Sequence, residues 1–111
     1  MEKLESDLLR TFLAVAQAGS VTDGAQRIHR SQSATSQQIK RLEAILGQPV
    51  FARHGRGVVL AEAGRKLLPI AQEVTGRLDA ALRDMSQRAV TGKLRVGIPD
   101  DHGRAKLSQI L

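Results

Sequence analysis

The sequence predicts a mainly α-helical fold: three short helices and a two-stranded β-hairpin, followed by one long helix. Three observations predict it. Apolar residues recur at helical spacing in three successive stretches up to Leu46. Two short β-prone runs, Val50-Phe51-Ala52-Arg53 and Val58-Val59-Leu60, flank the glycine-rich His54-Gly55-Arg56-Gly57. Leu67, Ala71, Val74, Leu78, Ala81 and Met85 then follow the alternating four-and-three spacing of a heptad seam. Three helices with a hairpin behind them make a winged helix-turn-helix.

The first helix is expected over Glu5 to Ala18, where Leu9, Phe12, Leu13 and Ala16 share one face and Gly19 provides the stop. Ser20 supplies an N-cap oxygen for a second helix, Val21 to His29, with Val21, Ala25 and Ile28 on its inner side. Gly24 costs this helix about 1 kcal/mol relative to alanine, which close approach of another backbone would offset. Arg30 falls in a tight turn, and Ser31 caps a third helix that runs to Leu46. There Thr35, Ile39, Leu42 and Leu46 form one stripe, flanked by Ile45, while Gln32, Ser33, Ser36, Gln37 and Lys40 lie on the other side. Gly47 and Pro49 end it.

The long helix is expected over Glu62 to Val90, roughly 43 Å at about 1.5 Å per residue. Pro69 should kink it or end its first segment. No other predicted element is long enough to cover its apolar seam, which points to self-association. Thr91-Gly92 breaks the pattern, and Lys93 to Ile98 reads as a single strand opening a further domain. The expected organisation is therefore 1–61, a winged helix-turn-helix; 62–90, a linker and dimerisation helix; and 91–111, the start of a truncated second domain.

Composition narrows the function. Of 111 residues, 41% are hydrophobic, ordinary for a soluble globular chain. Phe12 and Phe51 are the only aromatics, which argues against stacking single-stranded bases. With no cysteine there is no disulfide, thiolate metal site or thiol nucleophile. His29, His54 and His102 have no metal-ligand spacing, and Asp100-Asp101 beside His102 reads as a surface turn, so neither cofactor nor enzymatic activity is expected. No apolar run approaches the roughly 20 residues of a bilayer span, and the polar N-terminus is unlike a signal peptide. A cytoplasmic protein is expected.

The net charge is +6, and it is uneven. Between residues 20 and 66, Arg27, Arg30, Lys40, Arg41, Arg53, Arg56, Arg65 and Lys66 face only Asp23, Glu43 and Glu62, a net of +5. Localised positive charge suits a polyanion, because each neutralised phosphate releases counterions.

The order of elements and the residues together resemble the N-terminal region of LysR-type transcriptional regulators. The stretches that carry the resemblance are Leu9 to Ala16, Gly19-Ser20-Val21-Thr22, Ser31-Gln32-Ser33-Ala34-Thr35-Ser36-Gln37-Gln38-Ile39-Lys40-Arg41-Leu42-Glu43, Leu46-Gly47, and Val50-Phe51-Ala52-Arg53 through Ala63-Gly64, within about residues 4–98. The resemblance implies a dimer on double-stranded DNA, at an inverted-repeat promoter site. It also implies a small-molecule effector bound by a two-lobed domain of a longer protein, of which Lys93 to Pro99 would be the first strand. This chain departs from the pattern at Gln37, where a basic residue is common, at Arg30, where an aliphatic one is usual, and at Ala61, where threonine usually caps the linker helix.

In a helix-turn-helix the first turns of the third helix enter the major groove, so Gln32, Ser33, Ser36 and Gln37 are candidates there, with their cap, Ser31, a further DNA-binding candidate. Glutamine suits adenine, and serine suits base edges or phosphate. Ser20 and Thr22 are candidates for capping, with or without phosphate contact; Arg30 and Lys40 are candidates for phosphate. Arg41 either meets phosphate or pairs with Glu43 or solvent. Arg56, at the wing tip, suits a narrow minor groove, and Arg53 suits backbone contact or packing. The dimerisation candidates are Leu67, Ala71, Val74, Leu78, Ala81 and Met85. A protein-docking role for the third helix would call for an acidic or apolar outer face, which is not what Gln, Ser and Lys provide. A membrane role for Arg77, Arg83 and Arg88 is opposed by Glu73, Asp79 and Asp84 on the same helix.

Overall fold

The computed structural model describes residues 3–95, in the order α1 (Ser6–Ala18), α2 (Val21–Arg27), α3 (Gln32–Leu46), β1 (Phe51–His54), β2 (Gly57–Leu60) and α4 (Glu62–Arg95). These residues fall into two units, one up to Thr75 and one from Gly76 onward.

In the first unit, α1 sits at the centre. Leu8, Leu9, Phe12 and Val15 form the core together with Ile39 and Leu42 of α3, Val50, and Ala63, Leu67 and Ala71 from the start of α4. Phe12, Val15, Leu42 and Val50 are completely buried. Each apolar side chain of this size contributes about 1.5–3 kcal/mol on leaving water. The rings of Phe12 and Phe51 lie 5.3 Å apart between centroids, tilted at 33°, and bring β1 onto the core.

Helix α1 ends at Gly19 and α3 at Gly47, both in the left-handed conformation, at the expected stops. Gly24 on α2 packs against α1 as its sequence context suggested: a Cβ there would stand 2.8 Å from the Cα of Val15. The second helix is shorter than expected. It closes at Arg27 because His29 turns into the left-handed region, φ 57°. The Arg30 N–H then bonds back to the Ala25 carbonyl and the His29 N–H to that of Gln26. This is the six-to-one and five-to-two bonding of a Schellman stop, with histidine where glycine is usual.

The wing strands are antiparallel, pairing Phe51 with Leu60, Ala52 with Val59, Arg53 with Val58, and His54 with Gly57. Gly55-Arg56 form the two-residue turn, with Gly55 at φ 60°. Besides the Phe51 ring, main-chain atoms fix the wing. The Val58 N–H donates to the Gly19 carbonyl at 2.9 Å, and the Ala61 N–H donates to the Val50 carbonyl at 2.9 Å.

Helix α4 bears on three expectations. Of the two outcomes expected at Pro69, a kink or an end, the end does not occur: the helix passes through it. It continues through Thr91-Gly92 to Arg95, so Lys93, Leu94 and Arg95 are helical rather than the start of a strand. The rest of that expected strand, and Asp100, Asp101 and His102, lie outside the described residues. Finally, Leu67 and Ala71 are 7% and 0% exposed, part of the first unit's own core. In the second unit Leu78, Leu82 and Met85 are exposed.

Candidate nucleic-acid interface

The third helix is built to show one face. Thr35, Ile39 and Leu42 are buried, and the Thr35 hydroxyl donates to the Ser31 carbonyl at 2.8 Å, so even its polar inner residue is satisfied. Ser33, Gln37, Lys40 and Ala44, spaced by four, three and four, are exposed on the opposite side. Gln32 and Arg41 are also exposed, whereas Ser36 is half-buried. Ser31 caps the helix, its Oγ accepting from the Ala34 N–H at 3.0 Å.

The same arrangement recurs at α2. Ser20 Oγ accepts from the Asp23 N–H at 3.1 Å, and Thr22 is exposed two residues on. Arg30 is exposed in the turn between α2 and α3. Arg53 and Arg56 are exposed on the wing, Arg56 at its tip. The Val58–Gly19 bond joins that wing to the turn preceding Ser20, so two of the predicted contact regions share one rigid link.

Two predicted side chains are engaged in ways the sequence did not reveal. The Arg41 guanidinium lies 3.8 Å from the Glu5 carboxylate, at the N-cap of α1. Both partners are half exposed, so this pair adds little stability. Glu43 reaches the residue before β1: its Oε2 accepts from the N–H of fully buried Val50 at 2.9 Å. A third contact was not anticipated at all. The hydroxyl of Thr11, 2% exposed, donates to Oε1 of Gln38 and ties α1 to α3. The signal for it was thin: a threonine within the apolar face of α1, and a glutamine at the border between the two faces of α3.

Residues 6–65 match the family model described as bacterial regulatory helix-turn-helix protein, lysR family. The chain belongs to the LysR family. Among relatives of this LysR-family chain, the HTH-type transcriptional regulator DgdR of Burkholderia cepacia is 45% identical over 97% of the chain, and BudR of Klebsiella aerogenes is 41% identical over 86% of it. The chain spans 37% of the length of DgdR and 68% of that of BudR. Solved structures agree. The CbnR_DBD–DNA complex is 36% identical, with a TM-score of 0.68 over 78% of this chain and 99% of that one. The BenM_DBD complex with benA site 1 DNA is 29% identical, with a TM-score of 0.70 over the same shares. The LysR fold thus accounts for the three helices, the wing and the start of α4. Among the described residues, no helix is long and apolar enough to cross a membrane.

Proposed function

We propose that this chain binds double-stranded DNA as the reading module of a transcription regulator, working as a dimer on an inverted-repeat promoter site. The observation that carries this reading is the exposed polar and basic face of α3, Ser33, Gln37 and Lys40, on a helix whose other side is locked into the core. The two DNA complexes named above, formed by similar folds, support it.

In this reading α3 lies in the major groove with Gln32, Ser33, Ser36 and Gln37 toward base edges. Ser20, Thr22, Arg30, Ser31, Lys40 and Arg41 hold phosphates, Arg53 follows the backbone, and Arg56 enters the minor groove. Self-association uses Val74, Leu78, Ala81 and Met85 of the heptad seam, whereas Leu67 and Ala71 serve the chain's own core. The protein works in the cytoplasm and catalyses no reaction, and effector sensing is assigned to none of residues 3–95.

Titration of promoter duplex across a salt series tests this. Affinity should fall with a log–log slope of about −0.9 for each neutralised phosphate. Arg56→Ala should weaken binding to A/T-rich flanks most. Salt-insensitive binding, or none to any duplex, would overturn the proposal.

A further inference from the structure

Resting on the DNA-binding reading above, we infer that Gln37 is the residue that sets base identity, and that it selects adenine and rejects guanine in each half-site. Three glutamines lie on α3, and the structure separates them. Gln38 is half-buried, its carbonyl oxygen taken by the Thr11 hydroxyl. Gln32 is the first helical residue, beside the Ser31 cap. Only Gln37 stands exposed in the middle of the outward row, between Ser33 one turn before and Lys40 one turn after.

The chemistry of that row decides the base. A carboxamide sets one acceptor and one donor side by side, which matches the N6 amino group and N7 of adenine. Guanine offers two acceptors, O6 and N7. Against it the amide oxygen of Gln37 would face another acceptor in a desolvated groove, and one of its two bonds would be lost. Cytosine and thymine each allow a single bond. No arginine occupies the outward row Ser33, Gln37, Lys40 and Ala44. The bidentate guanidinium that reads guanine is therefore missing from that row. Ala44, at the end of the row, offers only a methyl group.

The experiment is selection of bound sequences from a random duplex pool, carried out with the chain, Gln37→Ala and Gln37→Arg. All three residue types favour helix and the site is exposed, so the fold is unaffected, which circular dichroism checks. The wild type should enrich adenine at one position per half-site, by roughly tenfold or more. Gln37→Ala should flatten that position and leave the others, and Gln37→Arg should convert it to guanine. If the three proteins select the same bases, or if Gln37→Ala weakens every position equally, Gln37 does not set base identity. Binding of duplex without any enriched base also overturns this inference while leaving DNA binding intact. Failure to bind duplex overturns the reading on which it rests.

Discussion

A Cβ placed on Gly57 would stand 2.2 Å from the carbonyl oxygen of Gly19, the same oxygen that accepts the Val58 N–H. The wing and the turn between α1 and α2 are thus in direct backbone contact, with no space for a side chain.

Gly57→Ala should therefore push the wing off that turn, because a backbone carbonyl cannot swing away as a flexible side chain can. The expected loss is about 1–3 kcal/mol, the usual range for overpacking. Gly55→Ala is the comparison. A Cβ there meets open space but inherits a positive φ, and should cost about 1 kcal/mol. Urea unfolding of both variants checks the order; equal losses would contradict it.

Glu43 holds the N–H of a fully buried residue, Val50. Removing the acceptor with Glu43→Ala should cost about 1–3 kcal/mol, since the N–H is left unpaired away from water. Glu43→Gln keeps an acceptor at the same reach and should lose about half as much, as a neutral bond replaces a charge-assisted one. Thermal unfolding of the pair tests this, with the sign set by Ala being the worse of the two.

The Thr11–Gln38 bond is open to a double-mutant cycle. Thr11→Val keeps the branched shape and removes the donor, and Gln38→Ala removes the acceptor. A coupling of about 1 kcal/mol is expected between them, and near-zero coupling would show that the bond contributes nothing net.

The seam on α4 should divide by function. Leu67→Ala acts inside the core and should destabilise the fold by about 2–5 kcal/mol. Leu78→Glu alters an exposed position and should leave the melting of the first unit unchanged while shifting the chain from dimer toward monomer in sedimentation equilibrium. A monomeric wild type, or a dimer that tolerates glutamate at this position, would refute the assignment.

Much of this molecule was legible from local rules. Ser31 capped α3 where expected, Gly19 and Gly47 closed their helices, and Gly24 signalled a close backbone approach before any partner was visible. Of the outer face that helical periodicity predicted for α3, Gln32, Ser33, Gln37 and Lys40 are exposed, whereas Ser36 is half-buried. What escaped depended on distant segments or on rare conformations. A histidine in the left-handed region has no reliable sequence signal, so α2 was expected two residues longer than it is. The partners of Glu43, Arg41 and Gln38 are seven or more residues away in the chain and are set by packing. Leu67 and Ala71 repeat at the same spacing as Val74 and Leu78. Periodicity identifies an apolar stripe but not what covers it.

The wing's anchorage has an evolutionary consequence. Its fixed points are carbonyl oxygens, amide groups, one absent side chain and the Phe51 ring against Phe12, none of which depends on the identity of His54 or Arg56. Substitution at the hairpin tip can proceed while its attachment is preserved, as a socket accepts different tools. Descendants of such a chain could retune which flanking DNA they favour one residue at a time, without first rebuilding the scaffold.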